Sequence, residues 1–401
     1  MMQRRTLLAA SAAMLAAPRL GTAATVVGVT ATELKIGNFM PYSGPASAYG
    51  VIGRGDSAFF KMVNDNGGVG GRQINYISYD DGYSPPRSVE QTRRLVEQDR
   101  VAFLYHTLGT PTNSAVVRYV NARKVPHLFL ATGADKWGNY RETPWTIGWQ
   151  PSYRTEAQIY AKYMLEQKPS AKVALLYQND DFGKDYVTGV KDVLGNRFDQ
   201  MVTTASFEVT DPTVDSQIVT LRGTGADVLI TAATPKFAAQ TIRKVHDIGW
   251  RPMHFMTNVS ISVAAVMRPA GPERGIGIIT SAYQKDVTDP AWANDPHLQE
   301  WRAFMQKYLP EGDQADSGYV TSYNCTTTLM HVLRQCDGDF SRENIMRQVA
   351  NLHDLEIPLL LPGIKVNTSP TNFHPIRQMQ LQKWSGEHWE RFGDVIQGAD
   401  V

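Results

Sequence analysis

The chain has 401 residues, 42% of them hydrophobic, with 40 Lys plus Arg against 39 Asp plus Glu and a formal charge of +1. So even a balance argues against nucleic acid or an anionic membrane surface as the main partner, since both call for a basic patch or stripe. A chain this long exceeds what one hydrophobic core ordinarily supports, so two domains are expected.

Arg4 and Arg5 precede an apolar run from Leu7 to Ala17, followed by Pro18 and small residues. That run is about a dozen residues, short of the roughly 20 a membrane-spanning helix needs, and the pattern is that of a secretory signal peptide over residues 1–23. Gly21, Ala23 and Ala24 suit signal peptidase, with cleavage after Ala23 or Ala24, and the arginine pair fits either the general secretory or the twin-arginine route. Loss of Arg4, Arg5 and Arg19 removes three positive charges and leaves −2. The chain is therefore expected to be exported.

From Leu34 onward short apolar runs alternate with helical patterns, the signature of βαβ units and parallel sheets. Strands are expected at Leu34–Phe39, Ile74–Tyr79, Val101–Tyr105, His127–Ala131, Lys172–Tyr177, Val202–Phe207, Asp227–Ala232, Met253–Thr257 and Ile276–Tyr283. Gly67–Gly71 follows a helix pattern and precedes a strand, the reverse of the order that puts amides on a phosphate, so it reads as a turn. Gln150-Pro151-Ser152 marks a crossing into a second βα series. Helix patterns without strands follow Pro296, and the tail reads as a hairpin of Met379–Trp384 and Trp389–Phe392 around Ser385–His388. The expected division is residues 25–150 plus 284–354 for one lobe and 151–283 plus 355–401 for the other, with more than one crossing forming a hinge.

Cys325 and Cys336 are the two cysteines, and an exported chain would ordinarily pair them. Both fall in one helical pattern, where eleven residues span roughly 16 Å, too far for a bridge. Two buried thiols are expected. No Walker sequence, Gly-x-Ser-x-Gly elbow or His-Glu-x-x-His spacing occurs, and Asp80-Asp81 before Ser84-Pro85-Pro86 fits turn chemistry. No catalytic residue, metal or cofactor is therefore assigned. His106 and His127 near strand ends are either ligand contacts or satisfied core residues.

Several short motifs share one order: Leu34-Lys35-Ile36-Gly37, Pro41-Tyr42-Ser43-Gly44-Pro45, Ala48-Tyr49-Gly50, Asn64 to Arg72, Tyr79-Asp80-Asp81, Leu108-Gly109-Thr110-Pro111, Val125-Pro126, Asn179 to Lys184, and Ala226-Asp227-Val228. In this the chain resembles the periplasmic binding proteins of branched-chain amino acid ABC importers, over essentially the whole mature length. The resemblance implies an α/β fold of two Rossmann-like lobes, the type I periplasmic binding protein, with a ligand cleft between them and delivery to a membrane permease, as a monomer.

Open parallel sheets bind ligands beyond the carboxyl ends of their strands, where these motifs sit. Thr107-Leu108-Gly109-Thr110 follows one strand; Thr110 reads as a helix cap with Pro111 as first residue, and the amides there attract a carboxylate. The resemblance adds Tyr42, Tyr49, Ala131, Thr132 and Gly133 from the first lobe. From the second it adds Phe182 in place of a tyrosine that closes over ligand, Thr234, and Lys236 as an anion partner or a solvated residue. Trp137 either walls the pocket or packs on its lobe. Asn258 stands where amino-acid-binding members carry a glutamate for the ligand's ammonium. Either Asp180 or Asp181 supplies that charge, or the ligand lacks an ammonium and is an apolar or aromatic carboxylic acid. A secreted α/β enzyme would need a nucleophile or cofactor site not found, and a sensor would carry a fused signalling segment; transport is the expected role.

Overall fold

The computed structural model describes residues 26–398, and the signal-peptide reading lies outside them. A first sheet comprises β1 (Glu33–Met40), β2 (Gln73–Asp80), β3 (Phe103–Tyr105), β4 (His127–Leu130) and β5 (Thr146–Gly148), all parallel, in the order β2-β1-β3-β4-β5. A second comprises β6 (Val173–Gln178), β7 (Val202–Phe207), β8 (Val228–Ala232), β9 (Met253–Met256) and β10 (Ile279–Ala282), extended by the antiparallel hairpin of β11 (Gln378–Trp384) and β12 (Trp389–Gln397). Its order, β12-β11-β10-β9-β8-β6-β7, repeats the first sheet's winding once the hairpin is set aside. This is the expected two-lobed fold.

The central strands are apolar because helices cover both faces of each sheet, leaving no solvated side for polar residues to occupy. Every residue of β3, β4, β8 and β10 is buried. Strand starts moved where backbone geometry forbids extension: Gly277 has φ of +90°, so the run from Ile276 turns before β10 begins. The short β5 carries no apolar alternation, and its place is fixed by partners, including the His127 amide donating to Trp145 O at 2.7 Å. Sequence patterning alone offers no signal for it.

The chain passes between the sheets after β5, after β10 and again before β11. Helices Pro296–Tyr308 and Ser317–Gln335 pack against the Gly50–Asp65 helix, where the Phe59 ring lies 5.8 Å from Phe304 and 5.2 Å from Tyr323. Residues 355–376, expected in the second lobe, are bound instead to the first-lobe side. The Leu359 amide donates to Asn324 Oδ1 at 3.1 Å, Thr368 Oγ1 donates to Val349 O at 2.6 Å, and Phe373 packs on Tyr140. The segment is loop-rich and lacks strand pattern, so its neighbours were not legible. Cys325 and Cys336 are both buried and free.

One buried ionic node joins the first helix to its neighbours. Asp56, fully buried in the Gly50–Asp65 helix, faces His106 Nδ1 at 3.0 Å and accepts from Ser322 Oγ at 2.8 Å, Thr326 Oγ1 at 3.1 Å and Tyr76 Oη at 3.3 Å. Burial alone would push the His106 imidazole down; the facing carboxylate overrides it and raises the pKa to about 10. His106 is thus a core residue and not a ligand contact. Asp56→Ala leaves that histidine without its counter-charge and should cost about 3–5 kcal/mol in denaturant unfolding. A raised folded-state pKa means that the pair's contribution is complete below about pH 6.5 and fades as pH climbs towards 10. The slope should be absent in Asp56→Asn, and an Asp56→Ala loss below about 1 kcal/mol would contradict this account of the node.

Candidate ligand-binding site

A cavity of about 760 Å³, partly open to solvent, lies between the lobes at the carboxyl ends of the strands. The loops after β1–β6 and β8–β10 all reach it, as the strand-end rule for open parallel sheets requires.

On the first-lobe wall stand Tyr49, Leu108, Gly109, Thr110 and Ala131. The helix Thr110–Ala122 begins one residue earlier than the sequence suggested. Its N-cap is Gly109 at φ +100°, no side chain caps it, and Thr110 is its first residue with Pro111 second. A Cβ on Gly109 would stand 2.6 Å from both Thr112 Oγ1 and the Tyr83 ring, so only glycine lets the chain turn here. Thr110 Oγ1 is hydrogen-bonded to Thr132 Oγ1 at 2.6 Å and is not spent as a cap. At the cavity this leaves the Thr110 amide uncapped by any side chain, since Pro111 has no N–H and the Asn113 amide donates to Gly109 O at 3.2 Å.

Four expected first-lobe contacts lie behind the wall. Thr107 is fully buried between Asn113 and His127, at 2.6 Å from each, and Thr132 supports Thr110 and accepts from Trp137 Nε1 at 3.3 Å. Gly133 packs against Pro151 O and the Tyr153 ring, and Tyr42 bonds Ser78 Oγ at 2.6 Å beneath the first helix. Trp137 accordingly packs on its lobe.

Across the cleft, Phe182, Thr234 and Asn258 line the second wall. Phe182 stacks edge-on against Tyr153, centroids 4.8 Å apart. Lys236 does not reach the cavity: its Nζ donates to Asp211 O at 3.0 Å and lies over the Phe237 ring, so the solvated reading fits. Asp180 caps its own helix through the Phe182 and Gly183 amides, and Asp181 pairs with Lys136 at 2.7 Å; neither lines the cavity. Asn258 is turned away from a ligand role as donor. Its backbone N and its Nδ2 donate to the two oxygens of Glu156, at 2.9 and 2.8 Å. Glu156 is wholly buried among the Tyr160 and Tyr186 hydroxyls and Ser281 Oγ, and burial raises its pKa to about 7. A carboxyl group therefore does exist near this position, one layer behind the wall.

Sequence patterning missed several lining residues. Tyr83, Gln150, Tyr153 and Tyr283 follow strands or open helices, and could have been found by extending each strand-end loop by a few residues. Ser262 and Gln284 likewise follow β9 and β10, whereas Asp316 and Thr321 come from the return helices, where sequence offers no strand end to count from. Asp316 is the one charged residue among those lining the cavity.

The lobes meet around the cavity. Tyr49 Oη donates to Val259 O at 3.0 Å, Ser262 Oγ to Asp316 Oδ1 at 3.0 Å, and the Asp135 amide to Asp185 Oδ2 at 2.8 Å, while Arg268 pairs with Asp313 at 2.5 Å. Among the described residues no group of His, Cys, Asp or Glu could hold a metal ion, and no helix is long and apolar enough to cross a membrane.

Two wound lobes thus hold a cavity between their facing strand ends, the architecture of a two-lobed binding protein. Residues 33–388 match the family described as Periplasmic binding protein, and the chain belongs to that family. A Leu/Ile/Val-binding protein homolog 7 from Brucella suis is 23% identical over 387 residues, covering 91% of this chain and 93% of that protein. The fold is shared with a branched-chain amino acid ABC transporter protein from Thermus thermophilus solved with bound valine, at TM-score 0.80 and 13% identity, covering 92% and 97% of the two chains. It is also shared with an R. palustris ABC transporter solute binding protein in complex with 4-hydroxybenzoate, at TM-score 0.76 and 17% identity, covering 91% and 97%.

Gly109→Ala should abolish detectable ligand binding while leaving far-UV circular dichroism unchanged, because the added methyl forces the Tyr83 ring and the helix start apart. Unaltered affinity in the variant would mean that this turn does not shape the site.

Proposed function

We propose that the protein is the solute-binding component of an ABC importer, acting in the periplasm as a monomer. It captures a small carboxylate-bearing ligand by cleft closure and hands it to a membrane permease. The ligand is a branched-chain or other aliphatic amino acid, or an apolar or aromatic carboxylic acid. The observation that carries this reading is the cavity of about 760 Å³ with the uncapped start of the Thr110–Ala122 helix in its wall. A helix start, with its free amide and positive macrodipole end, receives a carboxylate without a cationic side chain. No Lys or Arg lines the cavity, so this helix start is the group suited to an anion.

Tyr49, Leu108, Gly109, Thr110 and Ala131 hold the ligand from the first lobe, and Phe182, Thr234 and Asn258 close over it from the second. Tyr49 acts twice, lining the cavity and bonding Val259 O across the cleft. No histidine lies among the lining residues to activate a nucleophile, which supports binding over catalysis. A bilobal receptor signalling the same ligand to a membrane partner is the alternative use of this cleft.

Thermal unfolding of the mature protein against amino acids and aliphatic or aromatic acids tests the ligand class. Ligand at 100 times its dissociation constant should add about 2.7 kcal/mol, seen as a raised midpoint. If no member of either series shifts the midpoint, the carboxylate reading fails. Tyr49→Phe removes one bond of the closed form and should weaken the best ligand about two- to twelvefold, the equivalent of roughly 0.5–1.5 kcal/mol. Equal affinity by calorimetry would show that closure does not use this contact.

A further inference from the structure

Resting on that reading of the cleft, a second chamber behind the ligand cavity extends the site. It measures about 350 Å³ and lies between Ile261 and Val263 of the second lobe, Ala315 and Val320 of the first, and Gln382 and Trp389 of the hairpin. Gln284 and Ser317 line both spaces. We propose that this chamber receives the far end of the ligand, and that the end it receives carries a hydroxyl held by the Gln382 amide. The ligand class is thereby narrowed to carboxylic acids with a distal hydroxyl on an apolar skeleton.

Alternate residues of the same segments face the two spaces. Ser262 and Asp316 line the ligand cavity, while their neighbours Ile261, Val263 and Ala315 line the chamber. The partition is built from the Ser262 Oγ bond to Asp316 Oδ1 at 3.0 Å and the Ala264 amide donating to Ala315 O at 3.2 Å. The Gln284 side chain completes it, its Nε2 on Thr321 Oγ1 at 2.8 Å and its Oε1 sealed. Ser262 and Ala264 belong to the second lobe, Ala315 and Asp316 to the first, so both bonds across the partition are made only when the lobes meet. In the open cleft the two spaces are continuous, and a ligand end enters the chamber before closure.

Gln382 marks what that end must be. It is 2% exposed, on β11, and its side chain has no hydrogen bond among the described residues. Its polar atoms keep what little accessible surface the residue has, so the amide opens onto the chamber it lines. Buried polar groups are otherwise paired, and an unpaired amide in a chamber wall is a place for a partner from outside the chain. The charged heads around the chamber are already spent. Lys285 Nζ pairs with Asp295 at 2.7 Å and donates to Pro358 O at 3.0 Å, and Asp286 accepts from the Thr288 and Trp389 amides, each at 2.9 Å. A charged ligand end would lose its water there without gaining a counter-charge. A hydroxyl both donates and accepts, as a primary amide does, and tolerates the apolar surround of Ile261, Val263, Val287 and Trp389.

Calorimetry with straight-chain acids from pentanoate to decanoate, each against its ω-hydroxy counterpart, tests this on wild type and Gln382→Met. Methionine matches glutamine in length without its donors and acceptor. Removing an unpaired buried amide should hold or raise the thermal midpoint of the free protein, which checks that the variant folds. The expected result in wild type is a preference for the hydroxy acid confined to a narrow range of chain lengths, about two- to twelvefold at its peak, the range for one hydrogen bond. In Gln382→Met that peak should disappear while the plain acids bind as they bind wild type. If the ratio of hydroxy to plain acid is flat across all lengths, or if its peak survives in Gln382→Met, the rear chamber is wrong and the carboxylate reading stands. Binding of none of the acids would overturn both.

Discussion

Everything in the cleft depends on parallel strands ending at a common edge. A parallel sheet wound in this order has its strands' carboxyl ends on one side, and the crevice opens where the winding reverses, between β1 and β3 in the first lobe and between β6 and β8 in the second. Because the same order is used twice and the chain crosses between lobes three times, the two edges face each other. The ligand site is consequently made of loops and helix starts, whose unsatisfied backbone amides are a property of position more than of side-chain chemistry.

The fold was legible because parallel strands buried on both faces must be written in continuous apolar runs. Ala226-Asp227-Val228 leading into Leu229-Ile230, or Leu128-Phe129-Leu130, admits few other readings once helix patterns separate the runs. What escaped is what pattern does not encode. The edge strand β5 owes its place to the backbone of β4, and residues 355–376 owe theirs to bonds with Asn324 and Val349.

The site was half legible for a related reason. Strand-end counting reached Leu108, Gly109 and Thr110, and the family resemblance added Ala131, Thr234 and Asn258, but the cap was assigned to Thr110 when the backbone needs a positive φ that Gly109 alone supplies without strain. Thr107, Thr132 and Gly133 lie in the loops just past β3 and β4, within a few residues of contacts, yet are held behind the wall by bonds to Asn113, His127 and Trp137 and by packing on Tyr153. Asp316 and Thr321 come from the return helices, where no periodicity tells which side chain will face a cavity built mostly from elsewhere. The pairing of Asn258 with Glu156, separated by 102 positions in the chain, has no sequence signal at all.

Electrostatically, the cavity keeps most of its charge one layer back. Glu156 stands behind Asn258 and the Asp56–His106 pair stands behind the first wall, each saturated by hydroxyls, so that the lining is polar and nearly neutral. Fixed dipoles with little formal charge favour ligands that cancel their own, and closure then depends on a few bonds such as Tyr49 to Val259 O. Affinity in such a cleft is the difference between contacts made and the cost of holding the lobes together. Small-angle X-ray scattering of the mature protein, free and saturated with its most stabilising acid or amino acid, addresses this claim most directly. The account predicts a smaller radius of gyration in the saturated protein as the open lobes close, whereas identical scattering from the two would contradict ligand capture by cleft closure.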